Sequence, residues 1–209
     1  MKIKSLDRNF IIFIGKSGCG KGTQAKLLLE FMNKNKFQNT HYISTGQLLR
    51  GFIDKYLKGK MNKHTGKIIH DSVAAGKLLP TSIASWNVMN IIINNCQQGE
   101  NIILDGSPRT MIEYQLISDT IKFFNFRKPT IIYLNLSDKE ATKRLMSRGR
   151  GDDVEKIVLS RLSWYKKEVD PIIRAAKKNA EYKIIEIDAK QDIESQHKEI
   201  IKKLFNIKI

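Results

Sequence analysis

Two cysteines, Cys19 and Cys96, are all that the 209-residue chain contains, and they stand in no CxxC or zinc-like spacing. That scarcity excludes a disulfide framework and a thiolate metal centre, and makes a reducing cytoplasm the expected compartment. Long apolar runs are also missing. The run from Phe10 to Ile14 is far shorter than the roughly 20 residues that span a bilayer, and it leads into glycines rather than a cleavage site. Neither a membrane span nor export is expected. Only four prolines occur, no segment rich in Pro, Gly and Ser forms a linker, and no repeat recurs. One compact domain with small insertions is the expected organisation. The four histidines, His41, His64, His70 and His197, fall in no triad or metal spacing and read as structural. Acid is the scarcer charge: 21 Asp and Glu against 37 Lys and Arg leave a net +16. Anionic partners are favoured, whether nucleotides, nucleic acid or a membrane surface, and charge alone does not choose among them.

What is present is an alternation. Short apolar and β-branched runs at Phe10 to Ile14, His41 to Ile43, Ile102 to Leu104, Thr130 to Leu134 and Lys183 to Ile187 read as five strands. Between and after them, segments of helical period cover Gly22 to Asn33, Ser82 to Gln97, Met111 to Asn125, Lys139 to Met146 and Val154 to Asn179. This order predicts an α/β fold with parallel strands joined by crossover helices. The last segment puts Ile193, His197, Ile200, Ile201, Leu204 and Phe205 at helical spacing, which predicts a closing helix on the core, membrane-surface binding being the other reading of such a stripe. From Ser44 to Leu79 the chain is polar and Lys-rich with no strand signal. It reads as a helical excursion able to move over a ligand.

The first strand runs into Gly15-Lys16-Ser17-Gly18-Cys19-Gly20-Lys21-Gly22-Thr23, a GxxxxGK pattern between strand and helix. Glycines let backbone N–H groups converge, the helix adds the positive end of its dipole, and Lys21 adds a full charge for terminal phosphates. The alternative is a glycine-rich turn that binds nothing. Gly22 separates Lys21 from the hydroxyl of Thr23, where the general pattern has Ser or Thr directly after Lys. Another strand ends in Asp105, followed by Gly106-Ser107-Pro108-Arg109. A carboxylate there suits Mg²⁺, bound directly or through water, or else it caps the next helix.

Of the 37 basic residues, 28 are Lys and nine are Arg. In a chain that uses Lys for solvated charge, Arg is expected where a planar bidentate donor is needed, as against phosphoryl oxygens. Six of the nine stand in motif-like settings: Arg50, Arg109, Arg144, Arg148, Arg150 and Arg161, the last four around Asp152 and Asp153. A solvated basic face is the other reading of any one of them. These parts suit phosphoryl transfer from a nucleoside triphosphate to a phosphorylated acceptor, a reaction that needs alignment, charge neutralisation and exclusion of water more than a general base.

The segments GKSGCGKGTQ at 15–24, ISTGQLLR at 43–50, AAGKLLP at 74–80, LDGSPRT at 104–110, RLMSRGRGDD at 144–153 and RLSWYKKEVDPII at 161–173 resemble, in order, the nucleoside monophosphate kinase family, adenylate kinases most closely. The resemblance accounts for Gly22 and implies a P-loop NTPase-type five-stranded parallel sheet, order 2-3-1-4-5. The core would comprise residues 1–43, 80–146 and 152–209, the acceptor-binding insertion 44–79 and a minimal lid 147–151. It implies Mg²⁺-dependent transfer from ATP to AMP, giving two ADP. CMP, UMP or a deoxynucleotide is the acceptor alternative, and a non-catalytic nucleotide- or RNA-binding protein the other. By the same similarity Gly15, Ser17, Gly18, Cys19, Gly20, Lys21, Gly22 and Thr23 would hold ATP together with Arg144. Thr45, Gly46, Arg50, Leu78, Leu79, Gly106, Arg109 and Glu113 would hold the monophosphate, and Lys21, Arg109, Arg144, Arg148, Arg150 and Arg161 would serve catalysis. Asp105 would hold Mg²⁺ through water, and Asp152 and Asp153 would anchor the lid. A monomer without nucleic-acid or membrane partners is implied.

Three positions depart from the family pattern. Ser107 stands where an aromatic residue is common, Glu113 where adenylate kinases usually carry a Gln that reads the acceptor base, and Gln47 where an Asp usually precedes Leu-Leu-Arg. A carboxylate at 113 accepts but does not donate, so it would suit the exocyclic amine of adenine or cytosine better than uracil. Only Gly149 separates Arg148 from Arg150, and so short a lid is expected to permit some unproductive hydrolysis.

Overall fold

Alternation within one buried strand sets the two layers of the molecule. In the computed structural model, which describes residues 8–37, 39–95, 100–127, 129–149 and 154–207, β1 (Phe10–Gly15) is buried along its whole length. Phe10, Ile12 and Ile14 belong to one hydrophobic cluster and Ile11 and Phe13 to another, because successive side chains leave opposite faces of a strand. Both faces are therefore covered, as an uninterrupted apolar strand requires.

The other strands are β2 (Thr40–Ser44), β3 (Asn101–Asp105), β4 (Thr130–Asn135) and β5 (Lys183–Asp188). They pair in parallel in the order β2-β3-β1-β4-β5. Each expected run is a strand, longer by one or two residues, and the strand order is the expected one. Register places Phe13 and Ser44 beside Asp105 on either side, so β2 and β3 end level and β1 runs two residues further, to Gly15, before the glycine loop.

The helices are α1 (Lys21–Lys34), α2 (Thr45–Leu57), α3 (Lys63–Ala74), α4 (Thr81–Asn95), α5 (Met111–Phe123), α6 (Asp138–Arg148), α7 (Glu155–Trp164), α8 (Asp170–Lys178) and α9 (Ile193–Phe205). Ala25, Leu28 and Met32 of α1 join Ala141, Leu145, Val158, Leu162, Ile200, Ile201 and Leu204 against the Ile11 face. Val88, Ile92, Ile117, Ile121, Ile172 and Ala176 cover the Ile12 face. The polar stretch after β2 is helical, as read, and forms α2 and α3. In α9 the stripe packs as expected at Ile200, Ile201 and Leu204, but Ile193 is 57% exposed at the helix start.

One expected element is corrected. The segment read as a single helix from Val154 to Asn179 is α7 and α8 joined by a π-helical turn over Tyr165–Val169. Pro171 is the physical reason: it has no N–H to give the carbonyl of Lys167, and its ring crowds that carbonyl, so the backbone widens just ahead of it.

Candidate active site

The glycine loop is shaped by close approach and by backbone sign. A Cβ on Gly15 would stand 2.6 Å from both the Leu134 carbonyl and Cys19 Sγ, and Gly20, the residue capping α1, has φ of 96°. No side chain caps α1, so its first N–H groups are left for an anion. Lys21 Nζ donates to the carbonyls of Gly15 at 2.6 Å and Lys16 at 2.9 Å. Lys16 straps the loop to the next strand and helix, donating to the Leu136 carbonyl at 2.9 Å and pairing with Asp138 at 2.6 Å.

Asp105 closes β3 beneath this loop. It is 8% exposed, and Oδ2 accepts from Tyr42 Oη at 3.0 Å and Ser44 Oγ at 3.3 Å. A methyl group on Gly22 would touch the same oxygen at 3.4 Å. Burial and the Asp105 charge push the Tyr42 phenol up to about 12, so it stays a donor. Asp105 does not cap α5; Thr110 does, its side chain accepting from the Glu113 N–H at 3.2 Å. Among the described residues no group of three or more His, Cys, Asp and Glu could hold a metal ion. A single fixed carboxylate beside a phosphate loop is nevertheless the hard oxygen donor that suits Mg²⁺, which keeps several waters and takes the rest of its shell from phosphates.

The residues singled out in the sequence are brought together in two connected places. A cleft of about 670 Å³ is lined by Gly15, Ser17, Lys21, Gly46, Arg50, Gly106, Arg109, Arg148 and Arg161. A smaller cavity of about 50 Å³ is lined by Thr45, Leu78, Leu79, Arg109 and Glu113. Arg109 reaches both: Nε donates to the Gly106 carbonyl at 2.6 Å and Nη2 to Thr45 Oγ1 at 3.3 Å. Burial lowers its pKa from the ordinary guanidinium value, the nearby Arg161 lowers it further, and the carboxylates of Glu113 and Asp105 oppose both. Glu113 accepts from Ser107 Oγ and from the Arg109 N–H, the latter at 2.6 Å.

Other expected residues stand apart. Gly18, Cys19, Gly20, Gly22 and Thr23 shape the loop or open α1 without lining the cleft, and Cys19 is fully buried. Arg144 does not line it either. Its Nε donates to Glu140 Oε1 at 3.2 Å, one turn back on α6. Arg150, Asp152 and Asp153 lie outside the described residues.

The cleft is also lined by His70 of α3, which the sequence marks only as structural, and by Trp164 and by Tyr165 in the π-helical turn, to which it assigns no role. Trp164 Nε1 donates to the Gly76 carbonyl at 3.3 Å. Nothing in local periodicity marks these, but Trp164 is one of only two tryptophans. Thr110-Met111-Ile112-Glu113 also matches the T-x-x-E signature of a capping box, and Thr110 does cap α5, but the Glu113 carboxylate turns to the Arg109 N–H instead of Thr110.

Among the described residues no helix is long and apolar enough to cross a membrane. A family model described as adenylate kinase matches residues 13–181. An adenylate kinase of Corynebacterium urealyticum is 30% identical, covering 88% of this chain and 92% of its own length. One from Prochlorococcus marinus strain MIT 9301 is 31% identical, over 94% and 99% respectively. One from Buchnera aphidicola subsp. Cinara cedri is 32% identical, over 94% and 97%.

Proposed function

The chain belongs to the adenylate kinase family and is a nucleoside monophosphate kinase, and on that premise we propose that it moves the terminal phosphoryl group of MgATP directly to AMP, giving two ADP. The observation that carries this reading is the convergence of Arg50, Arg109, Arg148 and Arg161 with Lys21 on one cleft. Four guanidinium groups and an ammonium lining one cavity make a site whose chemistry suits a polyanion such as two nucleotide phosphate chains.

In this reading the amides at the start of α1 and Lys21 take the β- and γ-phosphates, and Gly15 to Thr23 form the cradle. Arg50 and Arg109 take the acceptor phosphate beside Gly46 and Gly106, with the base directed past Thr45 toward Leu78 and Leu79 in the cavity that Glu113 also lines. Arg148 and Arg161 neutralise charge on the transferring group, Arg150 completes that set from the lid, and Arg144, paired with Glu140 on α6, adds its charge from outside the cleft. Asp152 and Asp153 anchor the lid. Asp105, held by Tyr42 and Ser44, would hold Mg²⁺ through water, and the ion supplies neutralisation of phosphate charge. The attacking phosphate oxygen is already anionic, so the chain's task is to align two nucleotides and exclude water. Residues 44–79 act as the acceptor-binding insertion and 147–151 as a minimal lid on the remaining core. We assign the protein to the cytoplasm as a monomer.

The test is to incubate the protein with MgATP and each of AMP, CMP, UMP, GMP and dAMP and to follow nucleoside diphosphate formation. Turnover is expected with AMP as the preferred acceptor. Binding of ATP without turnover of any monophosphate overturns the reading.

A further inference from the structure

Glu113 is a buried carboxylate whose hydrogen bonds all go to the loop that delivers Arg109. It occupies the third position of α5, and Thr110 caps that helix by accepting from the Glu113 N–H. In an ordinary capping box the carboxylate at this position turns back to the N–H of the cap residue itself. Here it reaches one residue further, to the Arg109 N–H at 2.6 Å, and takes a second donor, Ser107 Oγ–H. Ser107 and Glu113 are each 1% exposed. Burying a carboxylate is costly unless it is hydrogen-bonded and charge-compensated. Both conditions hold, since two donors face it, it lies in the positive first turn of α5, and the Arg109 guanidinium is close enough to feel its charge.

We infer that Glu113, with Ser107, is a positioning residue for Arg109, fixing the Ser107-Pro108-Arg109 loop so that the guanidinium enters the cleft. This rests on the proposed role of Arg109 with the acceptor phosphate. Two further contacts show how the clamp reaches the side chain. Once the Arg109 N–H is held, Nε meets the Gly106 carbonyl at 2.6 Å and Nη2 meets Thr45 Oγ1 at 3.3 Å, which leaves the guanidinium one direction. The same geometry argues against Glu113 as the reader of the acceptor base. Both of its oxygens already have donors from the loop, almost none of the side chain is exposed, and Ser107 is the partner that one oxygen takes. Discrimination among bases then falls to the shape of the cavity around Leu78 and Leu79.

The experiment measures kcat and KM for ATP and for AMP, CMP, GMP and UMP in the unaltered protein and in Glu113→Leu, Glu113→Gln and Ser107→Ala, with circular dichroism confirming folding. Glu113→Leu removes both acceptors and is expected to lower kcat at least tenfold, with the ATP KM and the acceptor ratios within about twofold. Glu113→Gln keeps both contacts, because its carbonyl accepts from the Arg109 N–H and its amide donates to Ser107 Oγ, which also accepts. It is expected to stay within about threefold in kcat with acceptor ratios unchanged. Ser107→Ala, which removes a single donor and keeps the helix cap, is expected to fall between the two and serves where Glu113→Leu does not fold. In an Arg109→Ala background these changes are expected to cost less than a further twofold, since a residue acting through Arg109 has nothing left to position. Glu113→Gln shifting the ratio of AMP to any other acceptor tenfold overturns the inference, as does Glu113→Leu or Ser107→Ala with undiminished kcat. No turnover of any monophosphate by the unaltered protein overturns the proposed function, and this inference with it.

Discussion

Trp164 on α7 and Gly76 in the turn after α3 are joined by the indole N–H, which donates to the Gly76 carbonyl at 3.3 Å. The bond ties α7, which carries Arg161, to the turn that leads from α3, with His70 in the cleft, to Leu78 and Leu79 in the smaller cavity. Gly76 has φ of 68°, and a methyl there would stand 2.7 Å from Ile157 Cγ2 of α7. Trp164→Phe keeps an aromatic side chain but removes the indole N–H and part of the ring, and the lost hydrogen bond alone is worth about 1 kcal/mol. Steady-state kinetics should show the AMP KM raised about fivefold with the ATP KM unchanged. Gly76→Ala meets both the backbone sign and the Ile157 contact, and thermal unfolding should show a loss of stability of ~1–2 kcal/mol.

Lys21→Ala and Arg109→Ala should each lower kcat at least a hundredfold, which corresponds to about 2.7 kcal/mol of transition-state stabilisation. Arg144→Ala should cost far less, below about tenfold, because that guanidinium is paired with Glu140 along α6 and does not line the cleft. Equal losses in all three variants, measured under saturating substrates, would show that Arg144 leaves Glu140 to join the reaction.

Tyr42→Phe tests how Asp105 is held. The substitution removes the 3.0 Å donor and leaves Ser44 as the remaining side-chain donor to that oxygen. The Mg²⁺ concentration giving half-maximal rate should rise about threefold to tenfold, less than the roughly 10–100-fold lost around direct metal ligands, because Asp105 would hold the ion through water. The KM for AMP should not move. An unchanged Mg²⁺ requirement would place Tyr42 among residues that only pack.

His197 sets an acid limb on stability. Its ring meets Phe31 edge-on at 6.3 Å, its Nδ1 is buried without a hydrogen-bond partner, and burial holds its pKa below 6.5, an effect that Glu30 opposes. A histidine depressed in the folded state binds fewer protons there than in the unfolded chain. Its contribution is therefore fully present above about pH 6.5 and is lost as pH falls below that value toward the folded pKa. Chemical denaturation between pH 5 and 8 should show this slope, and His197→Gln should flatten it. A slope that survives the substitution would assign the acid limb to other groups.

The sheet was legible because each strand is a short apolar or β-branched run, buried throughout in β1 and β3 and in part in β2, β4 and β5, and the alternation with helices gave parallel order. The glycine loop and the cleft arginines were legible because phosphate chemistry needs those residue types near strand ends. What escaped was set by tertiary packing. The break at Tyr165–Val169 leaves no mark on hydrophobic period, although Pro171 was a warning. Arg144 and Arg148 share a face in sequence, and only the structure shows Glu140 taking the first while the second reaches the cleft. Glu113 is aligned with a Gln in the family pattern and stands three residues after Thr110, so a base contact and a helix cap were both legible there, while its hold on the Ser107–Arg109 loop shows only in the structure. Asp105 was read with a cap as alternative, and Thr110 takes that place.

The wide turn over Tyr165–Val169 works as a phase adjuster. Each residue of an ordinary α-helix advances the side-chain direction by about 100°, so 11 residues would bring Ile172 back to nearly the heading of Arg161, and the turn's irregular winding lets Arg161 face the cleft while Ile172 and Ala176 face the sheet. Deleting one residue there would leave the downstream helix seated on the sheet and swing the upstream guanidinium away from the nucleotides. The loss of catalysis would come from a rotated helix, with every side chain still present.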